Sequence, residues 1–151
     1  MIAKKTADYA KEIYKEGEVL YNSKVELIRL QKIIEFAGTG NKILDIGCYN
    51  GTIGSKLIKN GNDVYGIEIN SEVAEAAKRK GVKVVVQDIE SPFDFKDNFF
   101  DVVVAAEIIE HILDVDFFID EIKRILKSNG TLVLSTPNSA SLGRRIFLLF
   151  G

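Results

Sequence analysis

The sequence predicts an α/β domain built on a parallel sheet with helices on both faces. Three observations carry that expectation. Short, continuously apolar segments recur along the chain with helical patterns between them. Gly or Asn-Gly stops close those helices. Acidic or polar residues follow the apolar segments, where sheets of this kind bind ligands at the carboxyl ends of their strands.

The elements follow in order. Val25, Leu27, Ile28, Leu30, Ile33, Ile34 and Phe36 recur at helical spacing, and Gly38 and Gly40 end the run. Residues 1–40 are therefore expected to form a helical cap, and 41–151 the core. Residues 42–46 read as the first strand, and 52–59 as a helix stopped by Asn60-Gly61. Residues 63–69 form the second strand; Ser71 is expected to cap the helix "SEVAEAAKRK", which Gly81 closes. Residues 82–87 are rich in β-branched side chains and are expected to be a third strand buried on both faces. Residues 100–105 make the fourth. Asp114 opens an amphipathic helix with Val115, Phe118, Ile119, Ile122, Ile125 and Leu126 on one side; Asn129-Gly130 ends it, and 131–135 form the fifth strand.

Length and composition limit the function. The 151 residues, 46% hydrophobic and 28% charged, suit one globular domain with a real core. A net charge of −2 gives no electrostatic basis for general nucleic-acid binding, and Lys78-Arg79-Lys80 and Arg144-Arg145 read as solvated helix faces or ends. The single cysteine, Cys48, excludes an internal disulfide and a multi-cysteine zinc site. No apolar run reaches the roughly 20 residues of a membrane span, and the charged start lacks a signal-peptide core. A cytoplasmic location is expected.

The stretch "KILDIGCYNG" carries the first chemistry. A nicotinamide or flavin fingerprint wants G-x-G-x-x-G, with the middle glycine admitting a pyrophosphate. Tyr49 stands in that place, which disfavours a diphosphate, and no Walker G-K-[ST] follows. What remains is D-x-G-x-x-x-G, a loop expected to offer backbone N–H groups to a small anion such as a carboxylate. Glu68 ends the second strand about twenty residues beyond Gly47, where its two oxygens can accept both hydroxyls of a ribose. A nucleoside without a pyrophosphate is indicated. Blander readings stand beside this one: Asp45 as a cap for the next helix, Glu68 as a strand-end charge, Asp88 in "QDIESP" as turn chemistry, and Cys48 as a small packing residue.

"ILDIGCYNG", "GIEIN", "VQDIESPFDFKDNFFDVVVAAEIIEHILD" and "NGTLVLSTPN", in that order, resemble the motifs of class I S-adenosylmethionine-dependent methyltransferases, especially the quinone-type O-methyltransferases and the small-molecule group around them. The resemblance covers roughly residues 25–138. It implies a Rossmann-like, doubly wound, mainly parallel sheet of order 3-2-1-4-5, S-adenosylmethionine as cofactor with S-adenosylhomocysteine as product, and a small-molecule acceptor. It places Asp45, Gly47, Cys48 and Gly51 around the methionine end, and Glu68 on the ribose. Ile69 would pack on the adenine, Asp88 would accept from its amino group, and Ile89 would offer a backbone N–H. Ala106 would lie beside the sulfonium.

In "EIIEH", Glu107 precedes Glu110 by three, so on a helical turn it shares a face with Glu110 and His111. Similar stretches form part of a divalent metal site in small-RNA 2′-O-methyltransferases and some quinone methyltransferases. The RNA enzymes add a second histidine, whereas His111 is the only one here. Three readings stand: a catalytic or substrate-contact role for His111 and Glu107, a metal site, or helix-start structure. No metal is predicted. The N-P-P-[YF] stretch of amide and amino N-methylating relatives is absent, so oxygen is the expected acceptor. Tyr9, Tyr14 and Tyr21 are expected to line a lid.

The family continues past the fifth strand into a helix and an antiparallel strand pair, which this chain lacks. The expectation is a longer native product, or a cover of the fifth strand by residues 144–150; an uncovered edge would invite a homodimer. The rival functions are a non-catalytic S-adenosylmethionine-binding or fold-only module and a nicotinamide oxidoreductase.

Overall fold

The computed structural model describes residues 24–137. The lid expected of Tyr9, Tyr14 and Tyr21, Asn138 of the last motif and the edge cover expected of residues 144–150 lie outside them.

Among the described residues five strands, β1 (Lys42–Ile46), β2 (Asp63–Glu68), β3 (Lys83–Val86), β4 (Phe100–Ala106) and β5 (Leu126–Ser135), form one sheet in the order β3-β2-β1-β4-β5. Every pairing is parallel. Among the described residues four helices accompany them: α1 (Lys24–Ala37), α2 (Thr52–Lys59), α3 (Ser71–Arg79) and α4 (Val115–Ile125), with a 3₁₀ turn at Ile109–His111. Among the described residues no helix is long and apolar enough to cross a membrane.

The period-2 alternation of strands sorts side chains onto two cores. Ile43, Val64, Val102, Val104 and Val133 meet Leu30, Ile33 and Ala37 of α1 and Ile53 and Leu57 of α2. Leu44, Ile46, Ile67, Val103 and Ala105 face the other way, onto Phe118, Ile122 and Ile125 of α4. Each fully buried aliphatic or Phe side chain contributes roughly 1.5–3 kcal/mol, so the central strands cannot slip register without losing most of the core.

The structure corrects five expectations. The described part of the proposed cap is a core layer, because α1 buries Leu30, Ile33 and Ala37 against the sheet; its outer side leaves Leu27, Ile28 and Phe36 exposed. β3 is an edge strand, so Lys83 and Val86 are exposed and the strand is not buried on both faces. The cap of α3 is Asn70, in extended backbone, whose side chain accepts from Glu72 and Val73 N–H. β2 ends at Glu68, which leaves Ile69 beyond the ladder. Finally, α4 stops at Ile125 where Leu126 turns extended, and β5 begins there with an irregular register between Phe100 and Val102.

One cation fixes the long β3–β4 connection. Arg124 donates to the carbonyls of Phe93 and Phe95 and pairs with Asp97 and Glu121, while Phe93 N–H donates to Glu121. That connection carries Asp88 and Ile89, so α4 anchors one wall of the candidate site.

Candidate active site

Two buried carboxylates define the carboxyl end of the sheet. Asp45 on β1 and Glu68 on β2 are 1% and 2% exposed, and alternation puts both on the α1–α2 face. The N–H of Gly54, in the first turn of α2, donates to Asp45, but Asp45 Oδ2 is buried without a hydrogen-bond partner. Burial pushes the Asp45 carboxyl up to about 7; the Gly54 bond opposes this and the nearby Glu68 charge adds to it. The Gly54 N–H engages only part of the group. A buried oxygen without a donor is costly unless a ligand satisfies it.

Glu68 ties two loops together. Its Oε2 accepts from Tyr49 N–H at 3.0 Å and its Oε1 from Asn70 N–H at 2.8 Å. Burial holds this carboxyl above its ordinary value, opposed by the N–H groups of Asn70, Tyr49 and Ile69. A carboxylate has about four lone-pair positions, so these donors still leave it room to accept from a ligand hydroxyl.

The loop between them is built differently from the sequence reading. Cys48 N–H donates to Ile67 O, Tyr49 N–H to Glu68, and Gly51 N–H to Cys48 O. Three N–H groups expected to greet an anion are therefore committed, two of them to β2 and one within the loop. Tyr49 itself adopts φ 49°, the left-handed region that glycine usually occupies. Gly51, at φ 75°, is buried against α3: a Cβ there would lie 2.8 Å from Ala77 Cα. Its lack of a side chain is what lets the loop pack against α3. Cys48 is likewise buried beneath the loop against Gly66, and burial pushes its thiol far up. Gly47, at φ 69°, lies under the side chain of Ile108, whose Cγ1 would stand 3.0 Å from an added Cβ.

The remaining expected residues take their places around this pair. Asp88 Oδ1 accepts from Glu90 N–H, forming a local turn and leaving Oδ2 outside it. Ile69 and Ile89 are half-buried beyond β2 and β3, with Ile89 packed against the α4-side core. Ala106 ends β4 in register with Ser135. The common face expected of Glu107, Glu110 and His111 does not form. Glu107 has φ 56°, which breaks helical geometry before the Ile109–His111 turn, and its carboxylate pairs with Arg29 at 2.6 Å. Among the described residues no group of three or more His, Cys, Asp or Glu side chains is placed to hold a metal ion.

Sequence reasoning missed two participants. Arg29 reaches Glu107 from α1, and Glu90 accepts from Leu113 N–H at 2.9 Å. Both are contacts between residues far apart in sequence, which no local pattern encodes. At the end of β5, Ser135 Oγ is buried without a partner. A cavity of about 240 Å³ lined by Phe36, Asn41, Asp101 and Lys127 lies at the opposite, amino end of the strands, away from these groups.

Asp45 and Glu68 suit a ligand that brings a cation and a diol, and the residues present fit S-adenosylmethionine. Comparison with known proteins agrees. Residues 44–134, more than half the chain, match the methyltransferase domain family. A ubiquinone biosynthesis O-methyltransferase of Pelagibacter ubique is 37% identical over 114 residues, covering 73% of this chain and 47% of that protein. The chain thus spans about half the length of the curated relatives it matches. A solved S-adenosylmethionine-dependent methyltransferase of Thermotoga maritima, described as a possible histamine N-methyltransferase, is 25% identical with a TM-score of 0.69, covering 82% of this chain and 56% of that one. The [4+2]-cyclase SpnF, also 25% identical, has a TM-score of 0.64, covering 72% and 44% respectively. With the sheet order 3-2-1-4-5 and the strand-end carboxylates in place, the chain belongs to the methyltransferase domain family, in its class I S-adenosylmethionine-dependent form.

Proposed function

We propose that the chain binds S-adenosylmethionine across the carboxyl ends of β1 to β4 and transfers its methyl group to an oxygen of a small-molecule acceptor. The observation that carries this reading is the buried Asp45–Glu68 pair, with Asp45 Oδ2 unpartnered and no cation beside it among the described ion pairs. Bound, the sulfonium supplies a methyl group that is already activated. The chain's own residues bind, orient and exclude water. Asp45 and the Gly47 loop hold the amino-acid end, with Cys48 and Gly51 shaping that loop from beneath. Glu68 accepts from the ribose with the lone-pair capacity that Asn70, Tyr49 and Ile69 leave it. Asp88 serves the adenine amino group through its free oxygen, Ile69 packs on the ring and Ile89 offers its N–H. Ala106, small at the end of β4, leaves room for the reacting centre.

An oxygen acceptor also loses a proton. Of the two candidates His111 suits this role better, because it is exposed on the 3₁₀ turn while Arg29 already holds the Glu107 carboxylate. Relatives named for O-methylation in ubiquinone biosynthesis support oxygen, and a phenolic or quinol-like acceptor. The net charge of −2 supports a small molecule over nucleic acid, and the composition with its single cysteine supports a cytoplasmic setting. The half-exposed Leu134 on β5, an edge strand among the described residues, supports a homodimer paired along that edge, which light scattering would test.

The deciding experiment titrates S-adenosylmethionine and S-adenosylhomocysteine calorimetrically, then follows methyl transfer to phenol, catechol, hydroquinone and amine acceptors. Binding with O-methyl product supports the reading; no binding of either compound at millimolar concentration sinks it, and N-methyl product corrects the acceptor. The second reading is a cofactor-binding module without methyl transfer, favoured by a [4+2]-cyclase having this fold. Binding without product across the panel would select it. Binding of reduced nicotinamide would instead revive an oxidoreductase, which the committed Tyr49 N–H opposes.

A further inference from the structure

We propose that Arg29 is a positioning residue for the acceptor side of the site, acting through Glu107; the proposal rests on the methyltransferase reading above. Residues 107–113 leave the end of β4 and run to the start of α4, carrying Ile108 over Gly47 and His111 on the 3₁₀ turn. Both ends of this segment are clamped by carboxylates to distant parts of the chain. At its start Glu107 pairs with Arg29 of α1 at 2.6 Å, with both side chains partly buried (20% and 35% exposed). At its end Leu113 N–H donates to Glu90, two residues beyond Asp88.

The start of the segment needs such a clamp. Glu107 holds φ 56°, a conformation that L side chains adopt only where surrounding contacts over-determine it. Its N–H donates to Ser135 O, which fixes the backbone on one side, and the Arg29 pair fixes the side chain on the other. Helix α1 in turn is seated by Leu30, Ile33 and Ala37 in the core, so Arg29 is presented from a rigid base. The direction in which the chain leaves Glu107 decides where Ile108 and His111 stand. Arg29 sets that direction without touching cofactor or acceptor, and the pairing makes Glu107 a structural anion instead of a proton acceptor.

The test is a double-substitution cycle, Arg29→Gln, Glu107→Gln and both together, with Arg29→Lys as the conservative variant. Amide hydrogen exchange across residues 107–113 is read on the full chain, beside S-adenosylhomocysteine affinity and acceptor kinetics. Each single substitution should raise exchange in 107–113 by about tenfold or more without raising it in β1 or β4. Each should also impair acceptor turnover by about tenfold, with cofactor affinity held within about twofold, because misplaced groups slow transfer. The double variant should be no worse than either single one, and Arg29→Lys should be intermediate. Exchange in 107–113 that is unchanged in Arg29→Gln, or raised equally throughout the sheet, would overturn the proposal. So would an inactive Glu107→Gln beside a fully active Arg29→Gln, since Glu107 would then be a reacting group. Failure of the wild-type chain to bind S-adenosylhomocysteine would instead strike the functional reading, and the exchange arm would still judge the clamp.

Discussion

The two sides of the cleft use carboxylates in opposite ways. On the β1–β2 side, Asp45 and Glu68 are buried with raised pKa values and no cation beside them among the described ion pairs. On the β4 side, Glu107 and Glu90 are already engaged, one with Arg29 and the other with the backbone of Leu113. A protein that only needed stability would neutralise the first pair and leave the second in water. The contrast teaches that the β1–β2 side is organised around charge supplied from outside, while the β4 side spends its charge on holding a segment in place.

Breaking the buried side at its support should have the largest effect. Gly51→Ala puts a Cβ 2.8 Å from Ala77 Cα at φ 75°, and should cost about 2–4 kcal/mol in denaturant unfolding, combining backbone strain with overpacking. A loss below half a kcal/mol would show that the loop and α3 can part freely. Next, Glu68→Ala should weaken cofactor binding by about 1–3 kcal/mol in calorimetry through lost charge-assisted hydrogen bonds. Unchanged affinity would mean the diol does not meet Glu68.

Asp45→Asn sharpens the comparison through pH. A carboxyl raised to about 7 binds its proton more tightly folded than unfolded, so its contribution is fully present below the unfolded value near 4 and is lost as pH rises through 7. The ligand-free wild type should therefore lose stability between about pH 4 and 7, and Asp45→Asn should remove most of that decline while binding cofactor more weakly. Parallel pH–stability curves for the two proteins would refute the raised carboxyl. The smallest effect belongs to the other side: Glu90→Ala removes one exposed hydrogen bond to Leu113 N–H and should cost only about 0.5–1 kcal/mol in unfolding.

Much of the fold was legible because it rests on local pattern. Apolar runs such as "KILDI" and "DVVVAA" become central strands, and the helix stop at Asn60-Gly61 falls where the chain turns. The two carboxylates were also legible, since strand-end position and spacing from Gly47 single them out. What stayed hidden depends on contacts across the chain. Asp45 reaching Gly54, the loop N–H groups turning inward and Gly51 meeting Ala77 depend on how elements pack, not on residue order. The Glu107–Glu110–His111 face failed for a related reason. Spacing assumes a helix, and the left-handed turn at Glu107, held by Arg29, ends that assumption.

The claim that Asp45 is kept for a ligand's positive charge is tested most directly by proton release on binding. S-adenosylmethionine is titrated near pH 7 in two buffers of different ionisation enthalpy, into the wild type and into Asp45→Asn. A cation that ionises Asp45 should release about half a proton from the wild type and close to none from Asp45→Asn. Binding with no proton release, or with the same release from both proteins, would contradict it.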